Sequence, residues 1–315
     1  MLNRRYLRIK VYQALFAFWQ SDVGSAARVE KEMSLSIERT FDLFIQLLLL
    51  FGEVRHVASE RIEERKRKHL PTPEDLNPNR RFVDNPVITL LSESPRLLAE
   101  ANRRKLGWMG HGELIARLFK EFAAGEKYQR YMAAPEATFN AHRDVVLALF
   151  LEHIADHEPL HDLFESRSIF WLEDLDIACG LVKRNIEQLR SGDTDLALTD
   201  LDREPTEERE FVTLLYRKTI DLGKTHEMEI AAKAANWDAE RIALSDMILM
   251  KMALAEVKTF DQIPVKVTMN EYIEIAKAYS TPKSTGFING ILDKLFMEGK
   301  DNGAIKKVGR GLLEN

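Results

Sequence analysis

The chain has 315 residues, a formal charge of -5, 45% hydrophobic and 30% charged residues. That length supports one large core or two smaller ones. The single cysteine, Cys179, excludes an internal disulfide and a multi-thiolate zinc site, and is consistent with a reducing cytoplasm. Glycine and proline are sparse, at 15 and 10, and no run alternates apolar and polar residues over several strands, so the expected class is all-α.

Residues 2–20 show helical periodicity, with Leu7, Val11, Ala14, Leu15 and Phe18 on one side. This opening is basic (Arg4, Arg5, Arg8, Lys10), and the first acid is Asp22. Its apolar positions are interrupted by Lys10 and Gln13, and it has no small-residue cleavage site, so it does not read as a signal peptide. Residues 26–68 read as one long helix or two in tandem. The greasy stretch "FDLFIQLLLLFG" is too short to cross a bilayer and carries Asp42 and Gln46, which predicts a buried helix and no membrane association. The charge run "ERIEERKRKH" reads as a solvated helix end, with an RNA contact as the sharper alternative.

"LPTPEDLNPNRRFVDNP" is a connector. Residues 86–190 read as further helices with starts or joints at Pro95, Pro135 and Pro159. The segment from Asp193 to Glu210 holds eight acids against two arginines and leads into a helix near Pro205. Residues 206–235 are helical, and "AERIALSDMILMKMALAEV", apolar nearly all round, belongs in the middle of a bundle. "TMNEYIEIAKAYS" is amphipathic, "STPKSTG" reads as a loop, "FINGILDKLFMEG" is the last helix, and the basic, Gly-rich tail reads as mobile.

Few residues suggest chemistry. His153, His157 and His161 lie four apart, but Pro159 interrupts a helical ladder, so no metal is expected. "THEMEI" has Ile230 where a zinc-protease motif needs its second histidine. "KLGWMGHGE" lacks the spacing of a phosphate-binding loop, and Cys179 lies in an apolar context. No nucleophile, base and oxyanion set assembles, so neither an enzyme nor a cofactor is expected.

At about 100° per residue, Arg4, Arg5 and Arg8 share an arc of about 100° that Tyr12 and Phe16 continue. Arginine binds phosphate bidentately and stacks on bases, and tyrosine offers a π-face, so the stripe suits single-stranded RNA. Alternatively it is a solubilising helix whose arginines pair with acids elsewhere, such as those of the 193–210 segment.

The C-terminal half carries a resemblance. "IPVKVTMNEYIEIAK" followed by "FINGILD" is similar to V-P-x-x-V-x-I-N-E-x-x-E-L-A-K and F-V-N-G-V-L-D of the NusB family of transcription antitermination factors. Trp237, Arg241 and the greasy helix from Asp246 to Glu256 precede these pieces as they do in that family. "RRYLRIKVYQALFAF" resembles the family's N-terminal R-R-x-x-R-x-x-x-x-Q-A-L-Y. Two positions depart from the pattern: Ala255 stands for a tyrosine and Lys251 for an arginine.

The resemblance implies NusB-like helical bundles with an additional helical insertion. The expected divisions are N-terminal helices at 1–69, an insertion of unknown role at 70–205, a C-terminal bundle at 206–298 and a flexible tail at 299–315. It also implies binding of boxA-type single-stranded RNA with ribosomal protein S10, in an antitermination complex of RNA polymerase and other Nus factors on ribosomal RNA operons. Arg4, Arg5 and Arg8 match the basic N-terminal motif; Lys283, Ser284, Thr285 and Phe287 match the segment flanking the RNA. Glu271, Asn270, Asn289 and Gly290 match positions read as structural. The alternative is a scaffold of the same fold that has no RNA preference.

Overall fold

The structure is a computed structural model that describes residues 4–21, 25–198, 205–234 and 242–312. Trp237, Arg241 and the acids between 199 and 204 lie outside the described residues. Every regular element among the described residues is helical, so the chain is all-α. The helices fall into two compact units, one from Glu38 to residue 198 and one combining residues 4–37 with residues 205–312.

The first unit is built on the longer part of α2 (Ala26–Lys66), one uninterrupted helix. Leu43, Phe44, Ile45, Leu47, Leu48, Leu50 and Phe51 are all buried, as a helix apolar nearly all round requires. Of the two polar residues within this apolar stretch, Asp42 is paired, while Gln46 uses its amide N–H but leaves Oε1 buried without a partner. Arg104 donates to Asp42 at 2.7 Å, and Gln46 Nε2 donates to the Gly107 carbonyl at 2.8 Å. No helix among the described residues is long and apolar enough to cross a membrane.

The short helices that complete this unit are α3 (Pro73–Leu76), α4 (Pro86–Glu93), α5 (Pro95–Arg104), α6 (Gly112–Ala124), α7 (Glu126–Ala133), α8 (Phe139–His153), α9 (Glu158–Arg167) and α10 (Ile169–Gln188). Proline opens α3, α4 and α5, where its missing N–H costs nothing. Asn85 caps α4, accepting from Val87 N–H at 2.8 Å, and its amide donates to the His142 carbonyl, which ties α4 to α8. The end of the connector, with Phe82, Val83 and Asn85 buried, is thus packed into the unit, while Leu70 and Leu76 stay exposed. His153 ends α8, His157 precedes α9 and His161 lies within it; no group of three ligating side chains occurs among the described residues. Burial, with Asp176 and Asp156 nearby, pushes the Cys179 thiol up to about 12, so it stays protonated.

The second unit comprises α1 (Arg4–Gln20), the start of α2, α11 (Pro205–Asp221), α12 (Gly223–Lys233), α13 (Leu244–Thr259), α14 (Val265–Tyr279) and α15 (Pro282–Asp301). The expected 206–235 helix is thus two, broken at Leu222 and Gly223. α13 is the axis and packs against α1, α11, α12, α14 and α15. Everything from Ile248 to Val257 on it is buried.

Part of the tail packs back onto the bundle. Lys307 Nζ donates to the carbonyls of Val257 and Phe260, both at 2.8 Å, satisfying the open carbonyl end of α13. Ile305 lies over Gly299, where a Cβ would meet its Cδ1 at 2.5 Å. A cation at a helix C-terminus and an apolar contact are the interactions it makes there.

His226 on α12 is fully buried, and neither ring nitrogen has a hydrogen-bond partner. Burial, then Lys258, lowers its pKa to about 4; Glu229 opposes the shift. The fold holds the ring neutral, whereas the unfolded chain takes up a proton below about pH 6.5. Stability is therefore lost as pH falls from about 6.5 towards about 4. Between pH 7.5 and 4.5 the native chain should lose about 2–3 kcal/mol more in urea unfolding than His226→Leu does. Parallel pH profiles for the two would refute this assignment.

Candidate nucleic-acid interface

The basic flank of α1 divides into an inner and an outer part. Arg8 is 2% exposed. Its Nε and Nη2 donate to the two carboxylate oxygens of Glu256 on α13, each at 2.7 Å. Glu256, itself fully buried, also accepts from Thr268 Oγ1 at 2.9 Å and from Tyr272 OH at 3.0 Å, both on α14. Four donors on one carboxylate is the condition under which a buried charge is tolerated. Burial opposes the Arg8 charge, but the Glu256 hydrogen bonds and charge overcome it, so the guanidinium is held more firmly protonated than usual. The Tyr272 phenol is raised well above its ordinary value, first by burial and then by the Glu256 carboxylate.

One turn earlier, Arg5 makes a bidentate contact with Glu271 of α14, at 2.9 Å for both Nε and Nη2. Glu271 also stands 3.6 Å from Arg8 Nη1. The four charges alternate in a chain, Arg5, Glu271, Arg8, Glu256, that clamps α1 against α13 and α14. The Arg5 guanidinium keeps 39% of its side-chain surface in solvent. Arg4 is exposed, with its guanidinium 5.3 Å from the centre of the Phe211 ring on α11; Arg8 lies 5.4 Å from the same ring.

Three of the residues expected to meet RNA are buried in this geometry. Arg8 is an internal ion-pair residue. Tyr12 is 4% exposed, packed 5.2 Å from the Tyr279 ring and 6.0 Å from Phe16. At that exposure it offers no open face for a base; burial raises its phenol, as does nearby Asp246. Ser284 is buried, its hydroxyl 2.8 Å from Thr281 Oγ1. For Arg8 and Tyr12 the physical reason is shared: the flank of α1 adjoining its apolar face is covered where α13 and α14 pack against it.

"PKSTG" is not a loop but the first turn of α15, with Pro282 at its start. Lys283 is exposed there, Thr285 and Phe287 are half-buried, and Thr285 Oγ1 donates to the Pro282 carbonyl at 3.0 Å. α14 ends at Tyr279, so the Tyr12–Tyr279 contact brings the flank of α1 beside the entry to α15. Asp246 fixes that junction by accepting a hydrogen bond from Ser280 Oγ. Sequence reasoning missed Glu256 and Glu271 as the partners of the arginines. The available signal was an acid placed within an otherwise greasy helix, which requires a buried cation.

These features define a helical module whose N-terminal helix is locked by a buried ion-pair chain and whose accessible cations sit at its outer edge. Comparison with known proteins adds the lineage. Residues 178–296 match the family model described as NusB family. A protein called Transcription antitermination protein NusB from Salinibacter ruber (strain DSM 13855 / M31) is 40% identical over 126 residues, 39% of this chain and 79% of that protein. Proteins of the same name from Chloroherpeton thalassium (strain ATCC 35110 / GB-78) and Natranaerobius thermophilus (strain ATCC BAA-1301 / DSM 18059 / JW/NM-WN-LF) are 42% and 39% identical. These matches cover 34% and 26% of this chain and 50% and 59% of those proteins. No solved structure matches. The chain belongs to the NusB family of transcription antitermination factors.

The inner and outer arginines should behave differently on substitution. Arg8→Met strands Glu256 in the interior and should cost about 3–5 kcal/mol in chemical unfolding. Arg5→Ala breaks a half-exposed pair and should cost about 1 kcal/mol or less. Equal losses for the two variants would contradict the division.

Proposed function

We propose that this chain is a cytoplasmic, non-enzymatic RNA-binding antitermination factor. It takes boxA-type single-stranded RNA together with ribosomal protein S10, within a complex of RNA polymerase and other Nus factors, and promotes ribosomal RNA transcription. Family membership supports the reading. The observation that carries it is the exposure of Arg4 and Lys283 on elements joined through the Tyr12–Tyr279 contact. Arg4 and Tyr12 are separated by about 12 Å along the axis of α1. A strand crossing from Arg4, past the solvent edge of Arg5, to Lys283 meets cations along its phosphates, with Thr285 and Phe287 at its far end. α15 begins without an acid in its first turn, which leaves its positive dipole end open to phosphate.

The inward placement of Arg8, Tyr12 and Ser284 favours one rival, a scaffold of this fold that binds S10 without RNA preference. Salt titration separates the readings. With a boxA-type oligonucleotide, Arg4→Ala with Lys283→Ala should flatten the slope of log K against log salt by roughly 1.4, about 0.7 for each phosphate left without its cation. A scrambled oligonucleotide should bind more weakly than the boxA-type one. An unchanged slope in the double variant, or equal binding of boxA-type and scrambled strands with S10 retained, would hand the case to the scaffold.

A further inference from the structure

The first unit holds a surface cavity of about 390 Å³ between the start of α8 and the segment after α10. Arg143 and Arg190 line it, with Phe139, Asn140 and Ser191, and no carboxylate does. Arg143 is under-used by the protein. Its Nη1 reaches the Glu187 and Leu189 carbonyls only at 3.5 and 3.4 Å, and its Nε is buried without a partner. That Nε is closed off from solvent, so the part of the guanidinium left to meet a ligand is Nη2, which makes no hydrogen bond among the described residues. Arg190 is exposed, and among the described residues its side chain has no hydrogen bond or ion pair; its backbone is tied to Asp193, whose carboxylate accepts from the Arg190 N–H at 2.8 Å and whose N–H donates to the Arg190 carbonyl at 3.2 Å. α8 has no acid in its first turn, so its positive end at the cavity has no counter-charge from its own sequence.

From this set we infer a ligand site, separate from the residues proposed above for RNA. Two guanidiniums without carboxylate partners select a doubly charged oxyanion, which arginine binds in a forked geometry. Phe139 on the wall provides a face on which a planar ring stacks, and Asn140 and Ser191 add neutral donors and acceptors. The depression is broad and open to solvent, so a ligand held there keeps one side in water. The ligand class is a phosphate monoester carried on a planar ring, which is to say a nucleotide, either free or at the 5′ end of a strand.

Calorimetric titration of the full chain with each of the four nucleoside 5′-monophosphates tests this. At least one should saturate with a half-point below about 1 mM. The corresponding nucleoside should not saturate over that range, and inorganic phosphate should bind more weakly than the nucleotide. Arg190→Gln, an exposed position whose change leaves the fold intact, should weaken the nucleotide about tenfold with an unaltered circular dichroism spectrum. A 5′-phosphorylated trinucleotide that displaces the mononucleotide, and is itself weakened by Arg190→Gln, assigns the site to a strand end. Failure to displace it assigns the site to the free ligand. No saturation by any of the four, equal binding of nucleoside and nucleotide, or an Arg190→Gln affinity matching the native one would each overturn the inference.

Discussion

The Glu256 carboxylate is the constraint on which the second unit depends. It sits at 0% exposure on the central helix, where an unpaired charge is intolerable. Its two oxygens must be met by donors, and the donors come from different helices: Arg8 on α1, Thr268 and Tyr272 on α14. Satisfying one anion therefore fixes the register of three helices at once. Apolar packing around α13 supplies bulk attraction, but it tolerates sliding; hydrogen bonds with defined directions do not. Glu271 extends the same logic outward, taking Arg5 and standing 3.6 Å from Arg8, so that charge alternates from core to surface.

That arrangement bears on function. A stripe of three arginines looks like a single phosphate-binding device, yet the fold gives its members different tasks. Arg8 holds the helix. Arg5 is shared between Glu271 and solvent. Arg4 stays at the surface, steadied over Phe211. The ion-pair chain thus holds α1 in one register, with Arg4 at its outer end over Phe211 and Arg5 at its solvent edge.

Much of the architecture was legible in the sequence. The buried part of α2, the all-round apolar character of α13 and the proline-marked helix starts follow from periodicity and from what proline does to the backbone. The flank shared by Arg4, Arg5, Arg8 and Tyr12 followed from angular spacing alone. Which way that flank faced was not legible. Arg8 and Glu256 are 248 positions apart, and Arg5 and Glu271 are 266 apart, so no local pattern joins them. "PKSTG" misled because proline, serine and glycine mark turns, yet proline and serine also open helices. The contacts of the tail were equally hidden: the Lys307 hydrogen bonds to the end of α13 depend on carbonyls that have no sequence signature.

The measurement that bears most directly on this account is a double-mutant cycle in chemical unfolding, built from Arg8→Met, Glu256→Leu and their combination. If the buried pair is the clamp that organises α1, α13 and α14, each single change strands a charge and the double change removes both. The combination should then be more stable than the sum of the separate losses implies, with a coupling of about 2–3 kcal/mol. Additivity within about 0.5 kcal/mol would mean that the two residues do not depend on one another, and would contradict the placement of Arg8 as an internal partner of Glu256.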